Sequence, residues 1–203
     1  MTNIRVKQYG AYRSGTNVLR AWLLEALGVD ILAGGCGHKH DGVFLQYFPN
    51  QTIAGWKFLI SIRNPYAWLG GWAHFNGINP NEVPPEFANM SCIYWHNVYR
   101  QWLRELPQEQ TYVVTHEMLI RQPDTLLDEI SEFLGVPVTG PRDIPARRIT
   151  PDMGVSEIPF DGRALLSGEF MSHINPAAIA VMTEKIHWDW IKAYGYKPVG
   201  ECT

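Results

Sequence analysis

The sequence predicts an α/β fold, a three-layer α/β/α sandwich around a mainly parallel sheet. Three observations carry that expectation. Short apolar runs rich in β-branched residues alternate with longer stretches of helical period, the order that builds crossover units. The stretch Ile4 to Leu27 passes from a β-type run through a glycine-bounded loop into an amphipathic helix. Phe58 to Ile62, FLISI, is dominated by apolar residues, as expected of a strand covered on both faces.

In chain order, the first helix carries Val18, Leu19, Trp22, Leu23, Ala26 and Leu27 at the spacing of one buried face, and Gly28 ends the pattern. Val29 to Leu32 reads as a short strand. Residues 33–42 form a glycine-rich segment dense in reactive side chains, and loops of that kind carry function more often than packing. The strand at 58–62 closes in Arg63-Asn64-Pro65, and Tyr66 to Phe75 reads as a helix behind the proline. Asn76 to Met90, rich in Asn and Pro, is expected to be a surface loop or lid. Cys92 to Leu106 follows as a helix whose aromatic face holds Tyr94, Trp95, Tyr99 and Trp102. Thr111 to Thr115 is a strand. Pro123 to Leu134 is a helix with proline at its start and Gly135 as its stop. Val136 to Gly162 reads as irregular, and Pro176 to Tyr194 as a closing helix with Ile179, Met182, Ile186 and Trp190 buried.

The 203 residues fit one domain, 1–203, with room for a substantial core. A net charge of -3 and the lack of a basic run exclude nucleic acid and an anionic membrane surface as expected partners. No apolar stretch reaches the roughly 20 residues of a membrane span. Cys36, Cys92 and Cys202 are scattered, which argues against a disulfide framework and for a reducing, cytoplasmic setting. The first strand begins within four residues of Met1, so no secretory leader is expected. Most of the eight tryptophans belong to the core, with some available to line a pocket for a flat or sugar-like ligand. Oligomeric state has no readable signal.

A strand feeding a glycine-bounded loop that opens a helix aims unpaired N–H groups and the positive helix end at one point, which suits phosphate or sulfate. Gly10 to Gly15 has the G-x-x-x-x-G spacing of a P-loop, but Thr16-Asn17 stands where Lys-Ser/Thr would follow. The cation is instead Arg13, and the hydroxyl that would hold magnesium is missing. The strand at 58–62 also ends in an arginine where a magnesium site would want an acid. Both features point away from metal-assisted phosphoryl transfer. Cys36, His38, His40 and Asp41 lie at short spacing, but no second ligand pair follows, so no metal is expected.

Three fragments together resemble the sulfotransferases that use 3′-phosphoadenosine 5′-phosphosulfate (PAPS). Tyr12-Arg13-Ser14-Gly15-Thr16-Asn17 is similar to their 5′-phosphosulfate loop. Ile60-Ser-Ile-Arg63-Asn64-Pro65 resembles their 3′-phosphate strand end. Val113-Val-Thr-His-Glu117-Met-Leu, then Gln-Pro-Asp and Phe133-Leu-Gly, resembles their Tyr-Glu-Asp-Leu … Asp-Pro … Phe-Leu-Gly segment. With the closing Tyr194-Gly195-Tyr196, the likeness covers most of the chain. The resemblance implies a P-loop-like fold, PAPS as sulfuryl donor with 3′-phosphoadenosine 5′-phosphate (PAP) as product, and no metal. It implies Arg13, Ser14, Gly15, Thr16 and Asn17 on the 5′-phosphosulfate and Arg63 on the 3′-phosphate. It also implies His40 as base for a hydroxyl acceptor, a saccharide or other small metabolite, with Lys39 as electrostatic helper and His38, or an acid as in other branches of the family, as the alternative base.

Departures from the family pattern are specific. Gly71 stands where relatives commonly carry a serine that contacts the 3′-phosphate, and His116 stands at the tyrosine, where it would pack on the adenine. No Arg-Lys-Gly is found near the C-terminus, which leaves Arg147, Arg148 or Arg163 for the second 3′-phosphate contact. Two other classes stay open at this level. One is a P-loop phosphotransferase needing Mg²⁺ and ATP, and the other a non-catalytic nucleotide-binding module.

Overall fold

The structure is a computed structural model that describes residues 4–31, 38–41, 53, 55–145, 148–150, 154–156 and 168–200. Among the described residues, three parallel strands form a sheet in the order β1 (Arg5–Gly10), β2 (Trp56–Ile62) and β3 (Thr111–Thr115). Arg5 is in register with Trp56, and Phe58 with Thr111. Successive strand residues face opposite sides, and each side has its own cover. Tyr9, Phe58, Ile60 and Ile62 belong to one core, under α2 (Pro65–Phe75), α3 (Pro85–Glu105) and α6 (Pro176–Lys185). Val6, Leu59 and Val114 belong to the other, under α1 (Thr16–Leu27), α4 (His116–Arg121) and α5 (Pro123–Leu134). The three-layer α/β/α sandwich read from the alternation of strands and helices is the fold.

The six apolar positions of α1 are all buried, as their spacing requires. α5 runs from Pro123 to Leu134 and stops at Gly135, whose φ of 68° continues no helix. Trp68, Trp95 and Trp102 are fully enclosed in the first core and Trp22 in the second. Fully burying a large apolar side chain contributes roughly 1.5–3 kcal/mol, so these four indoles are major elements of the packing.

Four stretches differ from the sequence expectation. Val29 and Ile31 are buried against α1 and α5 but join no ladder, and Leu32 lies outside the described residues. The segment read as a lid becomes helical at Pro85, because a proline at the first helical position forfeits no hydrogen bond. A 3-10 turn at Pro80–Glu82 precedes it. The closing helix stops at Lys185 and continues as two 3-10 turns, Trp188–Trp190 and Lys192–Tyr194, which leave Ile179 and Trp190 half-buried. Within the stretch read as irregular, β4 (Arg148–Thr150) and β5 (Gly154–Ser156) pair antiparallel. Most of the glycine-rich segment, residues 33–37 and 42, lies outside the described residues.

Candidate active site

β1 delivers the chain to Gly10, and the loop that follows is packed too tightly for any other residue there. A Cβ on Gly10 would sit 2.5 Å from Ser14 Oγ, 2.7 Å from Thr16 Cγ2 and 2.9 Å from Ser61 O. Ser14 N donates to Ala11 O at 3.1 Å, closing the turn. Tyr99 of α3 ties the loop to β2, since its hydroxyl donates to Ser61 O at 2.7 Å and accepts from Ala11 N at 3.4 Å. Arg13 holds φ 66°, and among the described residues no other non-glycine has a positive φ. Gly15, at φ 89°, leads into α1 with no side-chain cap, and the first turn of the helix carries no acid. The amides of that turn therefore have neither an internal carbonyl nor a carboxylate to bind, and the helix dipole adds positive potential.

His116 lies against this loop. A Cβ on Gly15 would come within 2.4 Å of His116 Nδ1, so the imidazole packs directly against the loop.

The segment His38–Asp41 runs beside the end of β1. Gly10 N donates to Lys39 O at 3.0 Å, and the Lys39 ammonium donates to Asn17 Oδ1. His40 Nδ1 is 2.6 Å from Gly10 O. A carbonyl only accepts, so Nδ1 carries the proton and Nε2 keeps its lone pair. Two α3 side chains hold the segment in place: the Tyr94 hydroxyl donates to His40 O at 3.0 Å and Trp102 Nε1 to Asp41 O at 3.1 Å. His40 is buried, whereas His38 is exposed, its Nδ1 accepting from His40 N at 3.4 Å. Burial pushes the His40 pKa from 6.5 down to about 4, and Lys39 and His38 push the same way against the bond to Gly10. The ring is neutral at pH 7. Between about 4 and 6.5 the folded chain thus binds fewer protons than the unfolded one, so this residue makes stability fall with acidification through that window.

Arg63 ends β2 and turns toward the same loop, Nη1 donating to Arg13 O at 3.2 Å. Its Nε is enclosed and makes no hydrogen bond among the described residues. Burial lowers the guanidinium pKa to about 10, with Glu117 opposing that and Arg13 reinforcing it, so it stays a cation at neutral pH. Gly71 has a steric role here. A Cβ at that position would lie 3.2 Å from Arg63 Nη1, so the glycine gives the guanidinium clearance. A cavity of about 240 Å³ opens at this end, lined by Arg63, Ala67, Gly71, Phe170 and His173 among others. Of the arginines offered as further phosphate contacts, Arg147 and Arg163 lie outside the described residues, and Arg148 falls in β4.

Glu117 was legible only as a motif letter, and the structure gives it work. Its Oε1 accepts from Asn64 N at 2.9 Å, and its Oε2 accepts from the Tyr196 hydroxyl. Asn64 in turn caps α2, its Oδ1 accepting from Tyr66 N at 3.0 Å. One carboxylate thereby anchors the residue after Arg63. Among the described residues no three His, Cys, Asp or Glu side chains gather as a metal cluster, and Cys36 is not among them. No described helix is long and apolar enough to cross a membrane.

A parallel α/β sandwich whose first strand opens through a tight glycine loop into an uncapped helix is the P-loop-like architecture of nucleotide-dependent transferases. The family profile for the sulfotransferase domain matches residues 43–151, just over half of the chain. The chain belongs to the sulfotransferase family and is a sulfotransferase enzyme. Among solved structures it is similar to mouse sulfotransferase SULT7A1 complexed with PAP, at 12% identity and a TM-score of 0.57, over 95% of this chain and 88% of that one. It also matches the sulfotransferase domain of the Synechococcus PCC 7002 olefin synthase, at 16% identity and a TM-score of 0.49, over 97% of each chain. At these identities the mouse structure speaks for the shared fold. No curated protein sequence matches.

Proposed function

We propose that the enzyme transfers a sulfuryl group from PAPS to a hydroxyl, in line and without a metal. The observation that carries this is the convergence on Gly10: its amide, its carbonyl and the adjoining α1 terminus bring Lys39, His40 and Asn17 to one loop. In this account the amides of 15–17, the Ser14 hydroxyl and the Arg13 guanidinium hold the 5′-phosphosulfate, and Arg63 takes the 3′-phosphate in the cavity beside Gly71. Sulfuryl carries less negative charge than phosphoryl, so fixed N–H donors and cations suffice to stabilise the departing phosphate. His40 Nε2 takes the acceptor proton while Lys39 adds positive potential. The PAP in the mouse relative's crystal structure agrees with this donor.

Melting curves test the donor. PAP at 100 times its Kd is expected to stabilise the protein by about 2.7 kcal/mol, with AMP and Mg²⁺-ATP giving much less at the same concentration. A larger shift with Mg²⁺-ATP would favour a phosphotransferase.

The base has its own signature. The kcat/KM profile reports the free enzyme, so its acid limb is expected near pH 4, with the rate rising as His40 loses its proton and level above about pH 5. His40→Ala should lower the single-turnover rate by roughly 100-fold or more. An unchanged rate would move the proton to His38 or elsewhere.

A further inference from the structure

Tyr99 is fully enclosed, yet its hydroxyl sits where β1 and β2 part company. Gly10 and Ser61 form the last rung between these two strands. Beyond it β1 turns into the loop toward Arg13, while β2 runs on to Arg63. The phenol carries the pairing one step further. Ala11 N donates to its oxygen at 3.4 Å, and the hydroxyl donates to Ser61 O at 2.7 Å. Burial pushes the Tyr99 pKa well above its ordinary value of 10, so the oxygen keeps the proton that it donates.

The ring has little freedom. Trp95 lies 4.4 Å from it at 43°, and Trp102 lies 5.1 Å from it at 84°, both fully buried. In a close-packed interior such contacts leave the hydroxyl oxygen one position. The next two residues of the loop are tied as well. Tyr12 O accepts from Trp68 Nε1 at 2.7 Å, and Arg13 O accepts from Arg63 Nη1 at 3.2 Å. Of these three ties, the one through Tyr99 bonds main chain on both sides.

We propose that Tyr99 is a positioning residue that sets the separation of the two anion sites and so selects a nucleotide phosphorylated at both ends. The assignment rests on the donor reading above, in which the loop holds the 5′ end and Arg63 the 3′-phosphate. The phenol acts through the two backbones. Either site can hold its own phosphate without it, because a single phosphate imposes no distance on the other site. A ligand with two anionic ends gains the most when both sites already stand at its own span, since binding then spends nothing on drawing them into place.

Calorimetric titration with PAP, 5′-AMP and adenosine 3′-phosphate tests this on wild type and Tyr99→Phe. Phenylalanine keeps the ring packing and removes the oxygen. It is expected to weaken PAP about tenfold and each monophosphate by less than about twofold. Trp188→Phe is the control for a plain loss of stability. It also gives up one bond to main chain, from Nε1 to Thr183 O at 2.9 Å, and should leave all three affinities at the wild-type level. In nucleotide-free wild type the Ala11 amide should exchange with solvent deuterium roughly 100-fold or more slower than an unstructured amide, because the strut stands before any ligand arrives. The proposal is overturned if Tyr99→Phe keeps its PAP affinity, or if it weakens all three nucleotides alike, as a merely structural change would. It is equally overturned if the Ala11 amide exchanges freely in wild type. A wild type that binds PAP no tighter than 5′-AMP would instead overturn the donor reading, and the proposal with it.

Discussion

Arg13→Ala is expected to lower kcat by roughly two to three orders of magnitude while the protein still folds and binds acceptor. The side chain is exposed and supports no core, so under the proposed mechanism its loss should be felt where charge builds on the leaving phosphate. Its backbone makes a second, separable contribution. At φ 66° Arg13 occupies a region that costs a residue with a Cβ about 1 kcal/mol. Arg13→Gly should therefore be as inactive as Arg13→Ala yet melt at a higher temperature. Single-turnover rates and melting curves of the two variants measure both effects. Near-wild-type turnover in either would remove Arg13 from the mechanism, and equal melting points would show that the loop carries no backbone strain there.

Arg63→Ala is expected to abolish the preference for a 3′-phosphorylated nucleotide. A charge-assisted contact of this kind is worth about 1.5–3 kcal/mol, so the ratio of PAP to AMP affinity should fall by roughly 10- to 100-fold. Nearly all of the loss should appear on PAP. Arg63→Lys keeps the charge but not the planar fork, and should recover only part of the ratio. Calorimetric titration of both nucleotides against both variants decides the matter. A ratio that survives in Arg63→Ala would place the 3′-phosphate elsewhere in the fold.

Local chemistry made much of this molecule readable. Pro123 and Gly135 bracket α5, and the β-branched run of Thr111–Thr115 is a strand end to end, because those signals act within a few residues. The glycine-bounded turn between β1 and α1 was legible for the same reason, since Gly10, Arg13 and Gly15 lie close together in the chain. What failed depended on distant partners. Pro84-Pro85 looks like a loop in isolation, but it starts a helix that packs on α6. The closing helix has no glycine or proline stop. It ends where Trp188 folds back, its Nε1 donating to Thr183 O at 2.9 Å while its ring stacks on Tyr66 at 5.4 Å. At Gly71 the pattern announced a lost phosphate contact, and only the three-dimensional structure reveals that a guanidinium uses the space. The packing of His116 on Gly15 was not legible, because the two are about a hundred residues apart in sequence.

The carboxylate of Glu117 has a temporal consequence. It joins a residue of the β2 exit, Asn64, to Tyr196, and Val199 N adds a bond to the Tyr66 hydroxyl at 3.1 Å. During synthesis these partners leave the ribosome in the order 64, 117, 196, so a nascent chain carrying the first two still lacks the third corner. Closing so long a circuit is entropically costly and slow. The loop after β1 has its partners Tyr99 and His116 in place before Tyr196 is made, so it should ripen first, and the surroundings of Arg63 should become competent last.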